Sequence, residues 1–294
     1  MDVSVCIVSW NVAADLRRCL RSLEDQRGDV AFEIIVVDNA SRDGSPELVA
    51  DEFPGVNLIR SDRNLGFARA TNVAIHAAHG RYLLLLNPDC VLPPDALLAL
   101  VQFGDACPEA GLVGPKLLNA DRSLQYSARR LPSIKAAALR DTFLGRAFPR
   151  ARAADDYLMR DWDHNSVREV DWLSGACLLV RRAALEEVGA LDEGFFWGSE
   201  DVDLALRMRR AGWQVLYTPQ PRVVHAVGRS SDQAPFRTIL RTHRGMWRLY
   251  RKHFARGPLS AALVWLGVWL RAALLMAEYA VRSLFSRRSQ PADA

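Results

Sequence analysis

Four apolar runs separated by helical stretches and polar turns restrict this chain to very few folds. Val3-Ser4-Val5-Cys6-Ile7-Val8-Ser9, Phe32-Glu33-Ile34-Ile35-Val36-Val37, Val56-Asn57-Leu58-Ile59 and Tyr82-Leu83-Leu84-Leu85-Leu86 read as buried strands. Between and after them, Leu16, Leu20 and Leu23 fall at helical spacing, and Ser45-Pro46-Glu47 reads as a helix start with Ser45 at the cap. Phe67 to His79 reads as a small-residue helix, and Pro93-Pro94-Asp95 opens another. Strands that are apolar throughout and alternate with helices predict an α/β fold, with a Rossmann-like, mainly parallel sheet covered on both faces. Ligands of such sheets lie beyond the carboxyl ends of the strands. Ser9-Trp10-Asn11, Asp38 and Asn87-Pro88-Asp89 all fall at those ends. Further on, Val170 to Val180 and Trp213 to Thr218 read as strands. The polar, Arg-rich stretch from Arg129 to Asn165 is expected to be a mobile or acceptor-facing insertion.

At 294 residues, half of them apolar and 24% charged, the chain has ample material for a core, which excludes a disordered protein. No basic region with an apolar run and a small-residue cleavage site precedes the first strand, so no secretory signal is expected. The five cysteines (Cys6, Cys19, Cys90, Cys107, Cys177) are scattered without metal-type pairing, which fits free thiols in a cytoplasmic protein. Charge is distributed unevenly. Of 38 Lys/Arg and 34 Asp/Glu, 11 and 2 fall after residue 235, leaving 27 and 32 in the body. A basic tail on an acidic body implies a polyanionic partner, either nucleic acid or anionic lipid.

Two acid-bearing turns suggest chemistry. Gly198-Ser199-Glu200-Asp201-Val202-Asp203 places three carboxylates within four residues at the start of a helix. The helix dipole favours acids there, but capping accounts for one or two of them. Asn87-Pro88-Asp89 delivers a second carboxylate at the end of the most apolar strand of the first half. A hard cation bridging a diphosphate needs few protein oxygens, so Asp89 and one further ligand suffice, and His225 is the candidate for the second. Asp38, after the second strand, is placed either to satisfy its own turn or to hydrogen-bond the base or ribose of a nucleotide.

Taken in order, Val-Ser-Trp-Asn, Val-Val-Asp-Asn-Ala-Ser-Arg-Asp-Gly-Ser, Asn-Leu-Gly-Phe-Ala-Arg-Ala-Thr-Asn, Leu-Leu-Asn-Pro-Asp and Trp-Gly-Ser-Glu-Asp-Val-Asp-Leu-Ala-Leu-Arg resemble family 2 glycosyltransferases, over residues 3 to 228. The nearest branch is the bacterial rhamnosyltransferase-like one. The resemblance implies a GT-A fold, a nucleotide-sugar donor, a divalent metal (Mg²⁺ or Mn²⁺) and inversion at the anomeric carbon. It implies L-rhamnose from a dTDP donor, passed to a lipid-linked or polysaccharide acceptor in cell-envelope synthesis; galactofuranose, N-acetylglucosamine and glucose remain as alternatives. Position by position, it implies Asp38 at the nucleotide base with Ser9 and Asn11 in the same pocket, and Asn64, Gly66 and Asn72 on the donor side. Asp89 matches the last acid of the family's Asp-x-Asp motif, in which Asn87 replaces the first. Asp201 matches the base, preceded by Glu200, and His225 matches a late metal ligand.

The expected division is a catalytic region 1–228 and a basic, amphipathic helical region 229–294. Arg237, Arg241, Arg244, Arg248 and Arg251 recur at spacings of 4, 3, 4 and 3, one stripe on a helix. Aromatic residues including Trp247 run beside it. The apolar run Leu259 to Leu270, with Trp265 and Trp269, is 12 residues long before Arg271, too short for a span that needs ~20. It is therefore expected to lie in an anionic membrane surface, peripheral at the inner face of the cell membrane, or to dock on the body or on a second subunit of a homo-oligomer. A nucleic-acid-binding protein is the rival from another class. No helix-turn-helix, zinc-finger or stacked-aromatic motif supports it, so no nucleic-acid partner is expected. A nucleotidyltransferase lacks its Gly-rich phosphate loop here.

Overall fold

The computed structural model describes residues 1–26, 28–131, 152–226 and 235–288. In chain order the elements are β1 (Val3–Ser9), α1 (Ala13–Glu24), β2 (Phe32–Asp38), α2 (Ser45–Glu52), β3 (Asn57–Arg60), α3 (Phe67–Ala77), β4 (Tyr82–Leu86), β5 (Cys90–Val91), α4 (Ala96–Ala106), β6 (Ala110–Leu118), β7 (Leu124–Gln125) and β8 (Ala128–Arg129). They continue as α5 (Arg152–Leu158), β9 (Arg168–Glu169), β10 (Trp172–Leu173), β11 (Cys177–Arg181), α6 (Arg182–Val188), α7 (Glu200–Arg210), β12 (Gln214–His225), α8 (Pro235–His253) and α9 (Pro258–Arg288).

The main sheet runs β3-β2-β1-β4-β11-β6-β12-β5, with β7 beside β6 and β9 beside β12. β3, β2, β1 and β4 are parallel, as the alternation with helices predicts, and β12 is parallel to β6. β11 runs antiparallel to both neighbours, β4 and β6. Its reversal brings the start of β11 to the carboxyl end of β4, where Cys177 stands opposite Leu86. Every β1 and β4 residue is buried, because helices cover both faces. On one face α1, α2 and α4 bury Leu16, Leu20, Leu23, Val49, Leu97 and Leu100. On the other, α3, α6 and α7 bury Ala70, Ala74, Leu185, Leu204 and Ala205.

Several boundaries differ from the sequence reading. Ser45 is inside α2, whose cap is Gly44 in a left-handed conformation (φ 84°). The Ser45 N–H and hydroxyl both donate to Asp43 (3.1 and 2.6 Å). The apolar stretch Val170 to Val180 is two strands, β10 and β11, broken at residues 174–176. β10 leaves the main sheet to pair with β8. β12 continues past Thr218 to His225. The expected insertion at 129–165 falls largely on residues outside the described ones; its described ends are β8 and α5.

The tail departs furthest from expectation. α9 is one continuous 31-residue helix, and Pro258–Val281 is long and apolar enough to cross a membrane, with mean hydropathy 1.8 over its best window. Arg271 does not end it. That guanidinium turns inward and donates to His243 Nε2 (2.7 Å) on α8, while Ala272 and Val268 are buried beside it. Leu259, Leu263, Leu266, Leu270 and Leu274 line the outer face and are exposed.

Candidate active site

The carboxyl ends of β1, β2 and β4 gather the first group of residues. Ser9 and Asp38 are register partners on adjacent parallel strands. Both are buried, yet the Ser9 hydroxyl and Asp38 Oδ1 have no hydrogen-bond partner within the protein. Asp38 Oδ2 accepts the Ser41 N–H (3.0 Å), so the carboxylate caps its own turn with one oxygen and leaves the other over. Buried unpaired oxygens are costly, and two side by side at the ligand edge of a sheet mark a place where a polar ligand completes the bonding. Asn11, at φ 53°, closes the same edge: its N–H donates to Ser41 Oγ (3.0 Å), and its Oδ1 accepts the Arg42 N–H (2.7 Å).

Asn64 and Gly66 shape the loop into α3. Asn64 Oδ1 accepts the Gly66 N–H (2.9 Å), and Asn39, a residue the sequence reading did not single out, accepts the Leu65 N–H at 2.7 Å. Gly66 is left-handed (φ 84°), and any side chain there would collide with the Phe196 backbone. The Phe67 N–H donates to Phe196 O (2.8 Å), so the loop before α7 rests on the start of α3. Asn72 is used inside the protein. Its amide donates to Leu191 O (2.8 Å) and accepts the Leu191 N–H (3.0 Å), which fastens α3 to the loop after α6.

A second group centres on Asp89 and His225. β5 pairs with the end of β12, setting Cys90 opposite His225 and bringing Asp89 Oδ1 within 3.2 Å of His225 Nε2. Gln125 fixes the imidazole. Its amide nitrogen donates to Asn119 Oδ1 (2.9 Å) and His225 O (3.2 Å), so its oxygen faces His225 Nδ1 at 2.7 Å and receives that N–H. Nε2 then carries a lone pair aimed at a carboxylate, with the Asn87 amide 3.3 Å away. A carboxylate oxygen with an imidazole nitrogen is a donor set suited to Mg²⁺ or Mn²⁺. Cys90 Sγ also lies within 4.8 Å of these atoms. It donates to Ala176 O (3.2 Å), and burial above all holds its thiol well above its ordinary pKa, so it does not join the set. No composition signal pointed to Gln125, which sits in a two-residue strand after a polar turn.

The third group is the start of α7. Asp201 Oδ2 accepts the Gly175 N–H (3.2 Å) and Oδ1 accepts the Val202 N–H (2.8 Å). Glu200 is buried and its Oε2 is unpaired within the protein. Burial first, and the neighbouring Asp201 charge second, push the Glu200 carboxyl well above its usual range. Asp203 is fully buried and serves a different purpose. Its carboxylate takes Arg207 Nε (2.9 Å), Lys252 Nζ (2.7 Å) and His253 Nε2 (2.6 Å).

α8 contributes in a way the sequence did not suggest. Of the five arginines expected to face a membrane, Arg248 pairs with Asp192 (2.7 Å) and Arg241 stacks 3.8 Å over the Phe196 ring. Both therefore face the body. Arg237, Arg244 and Arg251 are exposed, and Trp247 stacks on Tyr250. Trp265 is exposed on α9, and Trp269 tilts against it.

Residues 4–189 match the family described as Glycosyl transferase family 2. The chain is 32% identical over 279 residues, 87% of its length and 90% of the relative's, to the N-acetylglucosaminyl-diphospho-decaprenol L-rhamnosyltransferase of Mycobacterium tuberculosis. It is 26% identical to the Escherichia coli rhamnosyltransferase WbbL, covering 76% of this chain and 83% of that one. Its fold is like that of a mannosyltransferase from Pyrobaculum calidifontis solved with GDP-Man and Mn²⁺. The TM-score is 0.58 at 20% identity, over 98% of this chain and 79% of that one. With its mixed, mainly parallel sheet of GT-A type and its matched family segment, the chain belongs to glycosyl transferase family 2 and is a rhamnosyltransferase-like glycosyltransferase.

Proposed function

We propose that this glycosyltransferase is metal-dependent and inverting, and moves L-rhamnose from dTDP-rhamnose to a polyprenyl-diphosphate-linked N-acetylglucosamine at the cytoplasmic membrane. The similarity over nearly the full length of the mycobacterial relative supports the choice of donor and acceptor. One observation carries the mechanism. The Asn87 N–H donates to Ala176 O (2.8 Å), and the residue before it, Gly175, donates to Asp201 (3.2 Å). The Asp89–His225 side of the site and the Asp201 side therefore hang on one three-residue turn between β10 and β11.

In this reading the unpaired oxygens of Ser9 and Asp38 receive the nucleoside, and Asn11 keeps that edge in shape. Asp89 and His225 would hold a divalent cation, which supplies neutralisation of the charge growing on the departing diphosphate. Asp201 accepts the proton of the attacking acceptor hydroxyl, an effect typically worth about 10²–10⁴-fold. Glu200, kept neutral by burial beside Asp201, lets that turn carry a single negative charge. A single displacement needs one base and no covalent intermediate, which is why one ionised carboxylate suffices and the product is inverted. α9 and the exposed arginines of α8 would keep the enzyme at the membrane where a lipid-linked acceptor resides.

The test is a reconstituted transfer. Purified enzyme, dTDP-L-rhamnose and a short-chain polyprenyl diphosphate bearing N-acetylglucosamine are combined with Mn²⁺ or Mg²⁺, and with chelator. Mass spectrometry should show one added deoxyhexose, lost with chelator and lost in Asp201→Asn. Transfer from another sugar nucleotide in preference to dTDP-rhamnose would refute the donor. Undiminished transfer in chelator would refute the metal.

A further inference from the structure

We propose that α8 is a positioning element of the catalytic centre: Gly245, Lys252 and His253 hold the Trp197–Asp201 turn, and with it Asp201, in its working place. The proposal rests on the reading of Asp201 as the base.

The turn does not hold itself. Gly198 and Ser199 are both left-handed (φ 81° and 80°), a conformation uncommon for serine and stable only where the surroundings impose it. Ser199 makes no side-chain capping bond to α7. Support comes from outside, on two sides. From below, Gly66 and the Phe67 N–H brace Phe196. From above, α8 lies so close that a methyl group at residue 245 would sit under 3.0 Å from the Gly198 carbonyl oxygen, and a side chain at Gly198 would meet Thr242 of the same helix. Gly245 sits in mid-helix, where alanine is the better helix former, so the missing side chain serves the close approach and not the helix.

The last turn of α8 fastens the other end. Lys252 bridges Asp203 (2.7 Å) and Asp192 (2.8 Å), and His253 adds a contact to Asp203 (2.6 Å). Asp203 is two residues beyond Asp201 in the first turn of α7, and Asp192 opens the loop that leads to it. The segment 192–203 is thus gripped at its start, its middle and its end by one helix. Because α9 follows α8 after only a short link, the element that meets the membrane and the element that sets the base are continuous.

The experiment uses the full chain and compares Gly245→Ala, Lys252→Met and Lys252→Arg. Gly55→Ala is the control, because a methyl group there meets nothing within 4 Å. Transfer kcat, acceptor KM, the calorimetric Kd of dTDP with Mn²⁺ and the melting temperature are read for each. Misplacing a reacting group by about 1 Å can cost on the order of 10²-fold. Gly245→Ala should therefore lower kcat by about tenfold or more with dTDP affinity unchanged. Lys252→Met should lower kcat likewise, since Arg207 and His253 still hold Asp203 in the fold, and Lys252→Arg should restore most of it. In an Asp201→Asn background Gly245→Ala should cost nothing further. Wild-type kcat in both Gly245→Ala and Lys252→Met overturns the proposal, as does an equal loss of dTDP affinity. If Gly245→Ala does not fold, the Lys252 pair decides alone. Full activity in Asp201→Asn sinks the base assignment and this proposal together; an inactive Asp201→Asn beside fully active Gly245→Ala and Lys252→Met sinks only the positioning role.

Discussion

Asp203→Asn is the most informative perturbation of the fold, because the residue joins α7 to α8 and touches no proposed substrate. The carboxylate is fully buried and receives Arg207, Lys252 and His253. Burial would raise its pKa, but hydrogen bonds from Lys252 and His253 and the Arg207 charge outweigh that and hold it below the usual carboxylate range. Each hydrogen bond to a buried charge is worth about 1.5–3 kcal/mol, and breaking a buried pair outright costs about 3–5 kcal/mol. Asparagine keeps one oxygen for one partner. The stranded cations keep others: Arg207 still donates to the carbonyls of Val188, Gly189 and Ala190, and Lys252 still reaches Asp192. The expected loss is therefore about 2–4 kcal/mol, below the outright figure. For a chain of this size each kcal/mol moves the melting temperature by about 2–4 °C. A drop of roughly 4–16 °C in differential scanning calorimetry is expected, with faster hydrogen exchange concentrated in α8 and the first turn of α7. A melting temperature within about 1 °C of wild type, with α8 exchange unchanged, would show that the three contacts contribute nothing net and that the reasoning from burial is wrong.

Other outcomes follow from the same geometry. Asp89→Ala should weaken dTDP binding only in the presence of Mn²⁺; calorimetry showing an equal loss without the metal would make the turn merely structural. Gln125→Met removes the acceptor that fixes His225, and metal affinity read by Mn²⁺ electron paramagnetic resonance should fall about 10–100-fold. An unchanged titration curve would mean that His225 needs no such partner. Glu200 is raised from an ordinary 4.5 to about 8, by burial first and by the Asp201 charge second. The folded chain then holds a proton that the unfolded chain releases, so this group's contribution falls as pH rises from about 4.5 to 8. Glu200→Gln lacks that slope, and its melting temperature relative to wild type should climb through that window and level off above it. A flat difference from pH 5 to 8 would refute the buried neutral acid. Attachment to anionic vesicles should survive high salt, because α9 now carries most of it; complete release by salt would return the tail to a surface-bound role.

The catalytic half was legible because a buried parallel sheet leaves no freedom in its strands. β1, β2 and β4 are apolar at nearly every position, and the polar residues that end them are therefore the ligand edge. Ser9, Asp38 and Asp89 were placed at that edge by this logic. Asp201 and His225 were already candidates, as part of an acidic turn and as a lone histidine, but their roles came from the family resemblance, and the reason is visible in the elements that carry them. β12 contains Pro219 and Pro221, so its apolar signal lapses after Thr218 although the strand runs on to His225. The turn that receives Asp201 was hidden because Val170 to Val180 is apolar on both sides of it, and periodicity does not register where one strand leaves a sheet and the next enters. Gln125 and Asn39 act by hydrogen bonds from short irregular segments, for which no periodic pattern exists.

The apolar run of the tail is longer than the sequence reading made it, for an energetic reason. Counting charges along a helix assigns Arg237, Arg241, Arg244, Arg248 and Arg251 to one stripe, and counting apolar residues stops the following run at Arg271. Both counts ignore that a guanidinium can be satisfied inside the protein. Arg248 finds Asp192, Arg241 finds the Phe196 ring, and Arg271 finds His243. Once these three face inward, the charge left to meet a membrane is smaller and the apolar surface larger than the composition suggests. Three exposed arginines contribute roughly 1 kcal/mol each at an anionic surface. Full burial of a leucine is worth about 1.5–3 kcal/mol, and five of them on α9 are between 43% and 75% exposed. Even at about half that value each, the leucines outweigh the arginines by roughly twofold. Two of the arginines that the pattern assigned to lipid, Arg241 and Arg248, instead tie the tail to the segment that carries Asp201, which is why that segment and α8 belong to one packed unit.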